Sequence, residues 1–69
     1  MIKVEMAIAL KEAGLKWEPR VGDMFYWYDG KEWKMDALNH EDVNDKLNET
    51  KDFIEEGFWI FAPRSAWIS

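Results

Sequence analysis

MFYWYDGKEWKMDA, Met24 to Ala37, is the stretch that decides the fold. Four aromatics stand together, Phe25-Tyr26-Trp27-Tyr28, and the chain then meets Asp29-Gly30. Successive side chains of a strand point to opposite faces, so the four rings cannot share one core. Asp-Gly between two β-rich runs is a strong hairpin signal, because a type I′ turn needs positive φ at both central residues. The stretch therefore predicts a two-residue turn at Asp29-Gly30. In that register Tyr28 faces Lys31, Trp27 faces Glu32, Tyr26 faces Trp33, Phe25 faces Lys34 and Met24 faces Met35. One face of the hairpin then carries Met24, Tyr26, Tyr28, Trp33, Met35 and Ala37, an apolar set suited to the core. The other carries Phe25 and Trp27 among Glu32, Lys34 and Asp36, with Lys34 placed over Phe25.

Working outward, Ile2, Met6, Ala9, Leu10 and Ala13 recur at three- and four-residue spacings and predict a helix over about 3–13. Gly14 suits the left-handed position that closes such a helix, with Leu15 packing back. Residues 17–22, with Pro19 and Gly22, form a connector. Beyond the hairpin, Val43, Leu47, Thr50 and Ile54 fit one continuous helix over about 41–56, started near Asn39 or His40 and ended by Gly57. FWIFAP, 58–63, predicts a strand stopped by Pro63. RSAWIS, 64–69, fits one helical turn capped by Ser65.

The order is α-β-β-α-β in a single domain, 1–69. A helix between the second and third strands lets the third pair antiparallel with the first. The expected fold is thus a two-layer α+β domain with a three-stranded antiparallel sheet of order 2-1-3 and two helices on one face. Trp33, Tyr26, Leu10 and Met6 should then be the most buried side chains.

Composition narrows the function. A chain of 69 residues with no cysteine and one histidine has neither disulfides nor thiolate or imidazole metal clusters. Five Trp, four Phe and two Tyr supply the core instead. No apolar run reaches the roughly 20 residues of a membrane span. The opening MIKVEMAIALKEAG carries Glu5 in a short apolar stretch and lacks a cleavage-like pattern, which argues against a signal peptide and for a cytoplasmic setting. Asp42 to Asn48 resembles a calcium loop only in outline, since Leu47 stands where glycine is needed. His40 reads as a cap or surface residue, Ser65 and Ser69 have no identifiable base, and there is no Gly-rich phosphate loop. No enzyme, cofactor or metal site is expected.

Two surface features remain. The first is the aromatic sheet face: Phe25, Trp27 and Lys34, joined by either Phe58 and Ile60 or Trp59 and Phe61 from the third strand. Exposed rings rimmed by charge mark interfaces. This face predicts a protein-interaction module, binding a protein partner or a second copy, with Phe25, Trp27, Lys34, Trp59 and Phe61 as contact residues. The alternative is that the tail around Trp67 and Ile68 covers it. The second feature is charge: residues 41–56 hold seven acids and two lysines, a net −5 that equals that of the whole chain. Glu41, Asp45, Glu49, Asp52 and Glu56 would form one stripe with steps of ~5–6 Å along a continuous helix, near the phosphate spacing of a nucleic-acid strand. That suggests, as an alternative function, an acidic-helix inhibitor or regulator of a nucleic-acid-binding protein. The bland reading is a solvated face. Direct nucleic-acid binding is not expected without a basic footprint. A sugar platform built on Trp and Tyr is a weaker option.

ALKEAGLKWEPRVGDMFYW, followed by a helix and an aromatic strand ending in FAPR, resembles a loose group of small uncharacterised proteins of phages and prophages of Gram-positive bacteria. The shared features are an N-terminal helix, a Leu15-x-Trp17-x-Pro19 connector, Gly22-Asp23 before the first strand, and a late aromatic strand running into proline. The resemblance spans about two-thirds of the chain. RSAWIS is much shorter than the amphipathic helix that ends those proteins. What the resemblance implies is a phage or prophage context, without any chemistry.

Overall fold

The computed structural model describes residues 2–63. The readings made for the tail, 64–69, lie outside the described residues. The elements run α1 (Val4–Glu12), β1 (Met24–Tyr28), β2 (Trp33–Ala37), a π-helical segment (Glu41–Asp45), α2 (Leu47–Glu55) and β3 (Trp59–Phe61). The three strands form one antiparallel sheet of order β2-β1-β3, the topology expected for a small α+β domain.

The hairpin register differs from the one expected. Tyr28 pairs with Trp33, Trp27 with Lys34, Tyr26 with Met35, Phe25 with Asp36 and Met24 with Ala37. The connection is the four-residue loop Asp29–Glu32, closed by Asp29 N–H donating to the Glu32 carbonyl at 3.1 Å. The cause is the Asp29 side chain. Its Oδ1 accepts from the amides of Lys31 at 2.7 Å and Glu32 at 2.9 Å, an Asx-type turn that competes with the two-residue hairpin. Gly30 supplies the positive φ, +101°, that this loop needs. The slip is two residues, an even number, so every side chain keeps its expected face.

Both helices end in the same way. Leu15 N–H reaches back to the Leu10 carbonyl and Gly14 N–H to Lys11, each at 3.0 Å. At the end of α2, Phe58 N–H bonds Phe53 at 2.9 Å and Gly57 N–H bonds Ile54 at 3.2 Å. These are Schellman closures, with glycine at the left-handed position.

α1 packs on the Met24–Tyr26 face. Ile2, Ala7, Ile60 and Ala62 form its buried cluster, with Ile8, Leu10, Met24, Tyr26, Trp33 and Met35 packed around it. The Tyr26 hydroxyl donates to the Ile2 carbonyl at 2.7 Å and ties the start of the helix to the sheet. Three expectations about this core need correction. Met6 is 47% exposed, and Ala9 and Ala13 are exposed too. The helix turns inward instead through Ala7, with Ile8 and Leu10 packed against the same cluster. Trp33, Tyr26 and Leu10 are half-buried rather than the deepest residues.

α2 does not join α1 on one face, as expected; it reaches the sheet from the other side. Its Phe53 stacks on Trp59, centroids 5.1 Å apart, and Trp59 pairs with Trp27 on the face opposite Ile60. The exit from β2 explains this. The ladder continues through Leu38, whose amide donates to the Asp23 carbonyl at 2.9 Å. Leu38 has the side-chain parity of Lys34 and Asp36 and is buried, so the chain that follows is drawn to that side.

The helix over 41–56 is also not continuous. Lys46, at φ −118° and ψ 29°, separates the π-helical segment from α2, and its amide bonds the Glu41 carbonyl at 2.8 Å, five residues back. Asn39 begins the segment as a reciprocal cap: its Oδ1 accepts from the Asp42 amide at 2.9 Å, and Asp42 Oδ2 accepts from the Asn39 amide at 3.2 Å. Across the break, buried Thr50 donates its hydroxyl to the Asp42 carbonyl at 2.9 Å.

Candidate functional site

The aromatic face begins with Trp17, in the connector. Its indole Nε1–H donates to Asp23 Oδ2 at 2.9 Å, and the same oxygen accepts the Arg20 amide at 3.0 Å. Arg20–Asp23 closes as a turn, Asp23 N–H to the Arg20 carbonyl at 3.1 Å, with Gly22 at φ +92°. So anchored, Trp17 lies flat on Phe61, centroids 5.0 Å apart and planes within 5°. Trp17 also meets Phe25 at 6.0 Å, and Phe25 stacks on Trp59 at 4.4 Å.

The five residues expected to contact a partner are thus not equivalent. Phe25 is 3% exposed, sealed between Trp17 and Trp59, and acts as the floor of the stack. Phe61 is half-buried under Trp17, and Trp27 and Trp59 are half-buried beside it. Lys34 is exposed. Its Nζ sits 5.9 Å from the Trp27 ring centre and 3.2 Å from Asp29 Oδ2, so it covers Trp27 and not Phe25. Of the two pairs open for the third strand, Trp59 and Phe61 lie on this face, since they pair with Trp27 and Phe25.

Two rings outside that set are the more exposed: Phe53, which the sequence reading did not single out, and Phe58, which it held only as an option for the third strand. Phe53 is 40% exposed and Phe58 55% exposed, and they meet edge to face at 6.4 Å and 73°. The Schellman closure sets them together, because it brings the residue after the glycine back over the last turn of α2. Phe53 then continues the stack to Trp59. Phe53 fell outside the Val43-Leu47-Thr50-Ile54 stripe. An aromatic four residues before Gly57, with a second just after it, was the available signal.

The acidic residues fall on both sides of the helix break. Glu41 and Asp45 belong to the π-helical segment, Glu49 and Asp52 to α2, and Glu56 caps its end; all five are exposed. The single evenly stepped stripe needs a continuous α-helix, which Lys46 interrupts. Glu41 is further engaged by Lys46 at 2.8 Å. The hydrogen bond from Lys46, and then its charge, hold the Glu41 carboxyl below its usual value; the same contact raises Lys46. Asp52, Glu55 and Glu56, by contrast, are exposed; Asp52 and Glu56 stand one and three residues from Phe53, while Glu55 lines the grooves beside Trp17.

Two grooves flank Trp17. One, of about 510 Å³, is lined by Ala7, Lys11, Leu15, Ile54 and Phe61 among others; the second, of about 490 Å³, by Pro19, Val43, Leu47 and Lys51. Both mix lysine and glutamate without a convergent polar set, so neither selects a ligand chemistry. Among the described residues no group of three or more His, Asp or Glu is placed to hold a metal ion, and no helix is long and apolar enough to cross a membrane.

Fold and site together define a small α+β domain with an aromatic patch at the junction of a helix end and a sheet edge. In comparisons with known proteins no family model matches this chain, and neither the curated proteins nor the solved structures yield a match.

Proposed function

We propose that this domain is a non-enzymatic protein-interaction module whose contact surface is Phe53 and Phe58, continued by Trp59 and Trp27. The observation that carries the reading is the exposed Phe53–Phe58 pair, 40% and 55% accessible, held ring against ring at the end of α2. Aromatic anchors at the centre of an interface are worth about 2 kcal/mol or more each. The backbone closure beneath them keeps the rings ordered before contact, which lowers the entropy of binding.

The acidic residues point to the partner. Exposed Asp52 and Glu56 stand one and three residues from Phe53 on α2, and the whole 41–56 stretch carries net −5. The fitting occupant is a protein segment with one large apolar residue flanked by Lys or Arg. The two surface features of the sequence thereby become one: rings for affinity, carboxylates for steering and choice of partner. A phage or prophage context and a cytoplasmic setting accompany this reading; the first rests on the resemblance above and the second on the absence of cysteine.

Selection of a displayed random-peptide library on the immobilised domain tests it. Enriched peptides should pair an aromatic or large aliphatic residue with Lys or Arg. Phe53→Ser with Phe58→Ser should abolish their binding while circular dichroism stays unchanged. Asp52→Asn, Glu55→Gln and Glu56→Gln together should weaken binding and flatten its salt dependence. Peptides that bind the serine pair as well as the unaltered domain would refute the assignment.

A further inference from the structure

The outer edge of β2 is a strand edge with no strand beside it among the described residues. Main-chain bonds at Asp23–Leu38 and Asp29–Glu32 fix the phase of the β1–β2 ladder. Hydrogen-bonded pairs alternate in an antiparallel ladder. The backbone groups of Lys34 and Asp36 therefore face β1, and those of Trp33, Met35 and Ala37 face outward. Among the described residues nothing pairs with that edge, since β2 has β1 as its sole strand neighbour. The Ala37 amide is closed by Asp36 Oδ1 at 2.8 Å, which leaves the amides of Trp33 and Met35 open.

We infer that β2 pairs antiparallel with β2 of a second copy, about a two-fold axis through Met35. In this register Met35 meets its own counterpart and the two exchange both main-chain bonds. Trp33 lies opposite Ala37 of the other copy, and the Trp33 amide reaches that residue's carbonyl without disturbing the Asp36–Ala37 contact. On one face a large side chain meets a small one. On the other, Lys34 lies opposite Asp36 of the second copy, twice by symmetry, at a separation that opposed side chains bridge. Trp-Lys-Met-Asp-Ala is thus complementary to its own reverse.

Charge also sets the register. A shift by one step in either direction places Lys34 opposite Lys34 or Asp36 opposite Asp36, and like charges directly opposed are destabilising. The product is a six-stranded sheet, with the half-buried Trp33 and Met35 of each copy meeting across the axis. The Phe53–Phe58 patch lies beyond β3, at the far edge, and stays free in the dimer. The two proposals therefore stand or fall separately.

Sedimentation velocity from about 10 µM to about 1 mM tests the inference, a range suited to so small an interface. A monomer–dimer equilibrium is expected within it. Lys34→Asp alone and Asp36→Lys alone should each raise the dissociation constant about tenfold or more, while the double variant Lys34→Asp/Asp36→Lys restores dimerisation. Thermal melts of dilute samples show whether each variant is folded. Amide exchange supplies a second readout that needs no substitution: the Trp33 and Met35 amides should gain protection as concentration rises. A monomer throughout the range, or a dimer indifferent to the charge exchange, would overturn the inference.

Discussion

Thr50→Val probes the break in the second helix most directly. Thr50 is 1% exposed, and its hydroxyl donates to the Asp42 carbonyl at 2.9 Å. In a continuous helix that carbonyl would accept from Lys46, but the Lys46 amide is committed to Glu41. Valine keeps the shape and removes the donor, so the change isolates one hydrogen bond. A fully buried carbonyl deprived of its partner costs about 1–3 kcal/mol; at this half-buried position a loss of about 1–2 kcal/mol is expected. For a domain this size each kcal/mol lowers Tm by about 4–8 °C, a fall read without difficulty by calorimetry or by circular dichroism. Thr50→Ser keeps the donor and gives up one methyl, worth about 0.8 kcal/mol, so serine should be the milder change. An uninterrupted helix predicts a much smaller loss for valine, because the hydroxyl would then only back-bond the Lys46 carbonyl, which the Thr50 amide already satisfies. A Thr50→Val protein as stable as the parent, or more so, would refute the break.

Phe25→Ala should cost ~3–5 kcal/mol, comparable with the whole stability of so small a domain, because it empties the floor between Trp17 and Trp59; a near-normal urea midpoint would show that the stack is not structural. Gly30→Val should cost ~1–3 kcal/mol, since φ is +101° there and a β-branched residue is strained at that angle whatever the space around it; an unchanged Tm would put the loop in another conformation. The amides of Glu32 and then Lys31, followed by Lys34, hold the Asp29 carboxyl below its ordinary 3.8. A depressed value contributes stability above 3.8 that disappears as pH falls through the folded-state value. The stability gap between the parent and Asp29→Asn should accordingly be constant above about pH 5 and close below about pH 4, followed by thermal melts across pH. A gap that does not change with pH would exclude the carboxylate as the organiser of the loop.

Strand order and face assignment were legible because they depend on coarse features: the sequence of elements, and alternation along a strand. Both survive a two-residue slip. The register was not, because Asp-Gly fits two turns, and the choice lay with the Asp29 carboxylate capturing two amides. In α1 the apolar residues at 4 and 6–10 surround the axis, so no single stripe stood out, and Met6 was set inward when it faces out. The helix break left no trace in the apolar spacing, since Val43, Leu47, Thr50 and Ile54 keep their steps across it. The aromatic face was read correctly as to parity and incorrectly as to exposure. Nothing local announces that Trp17, set by Asp23 six residues later, will lie across Phe61. Phe53 and Phe58 become neighbours only when the chain closes back over the glycine.

A sheet with Ile60 and Ala7 on one side and Phe25 and Trp17 on the other has consequences for how this chain can change. Alternate residues of one short strand answer to different surroundings, so substitutions at Ile60 and at Phe61 should combine additively, while those within either layer should show epistasis. Each side is therefore a packing layer of its own, with Phe25 and Leu38 buried opposite α1 as Ile60 and Ala7 are beneath it. Of the three residues of β3, the middle one answers to the α1 layer, and the outer two to the stack of Trp17 and Phe25.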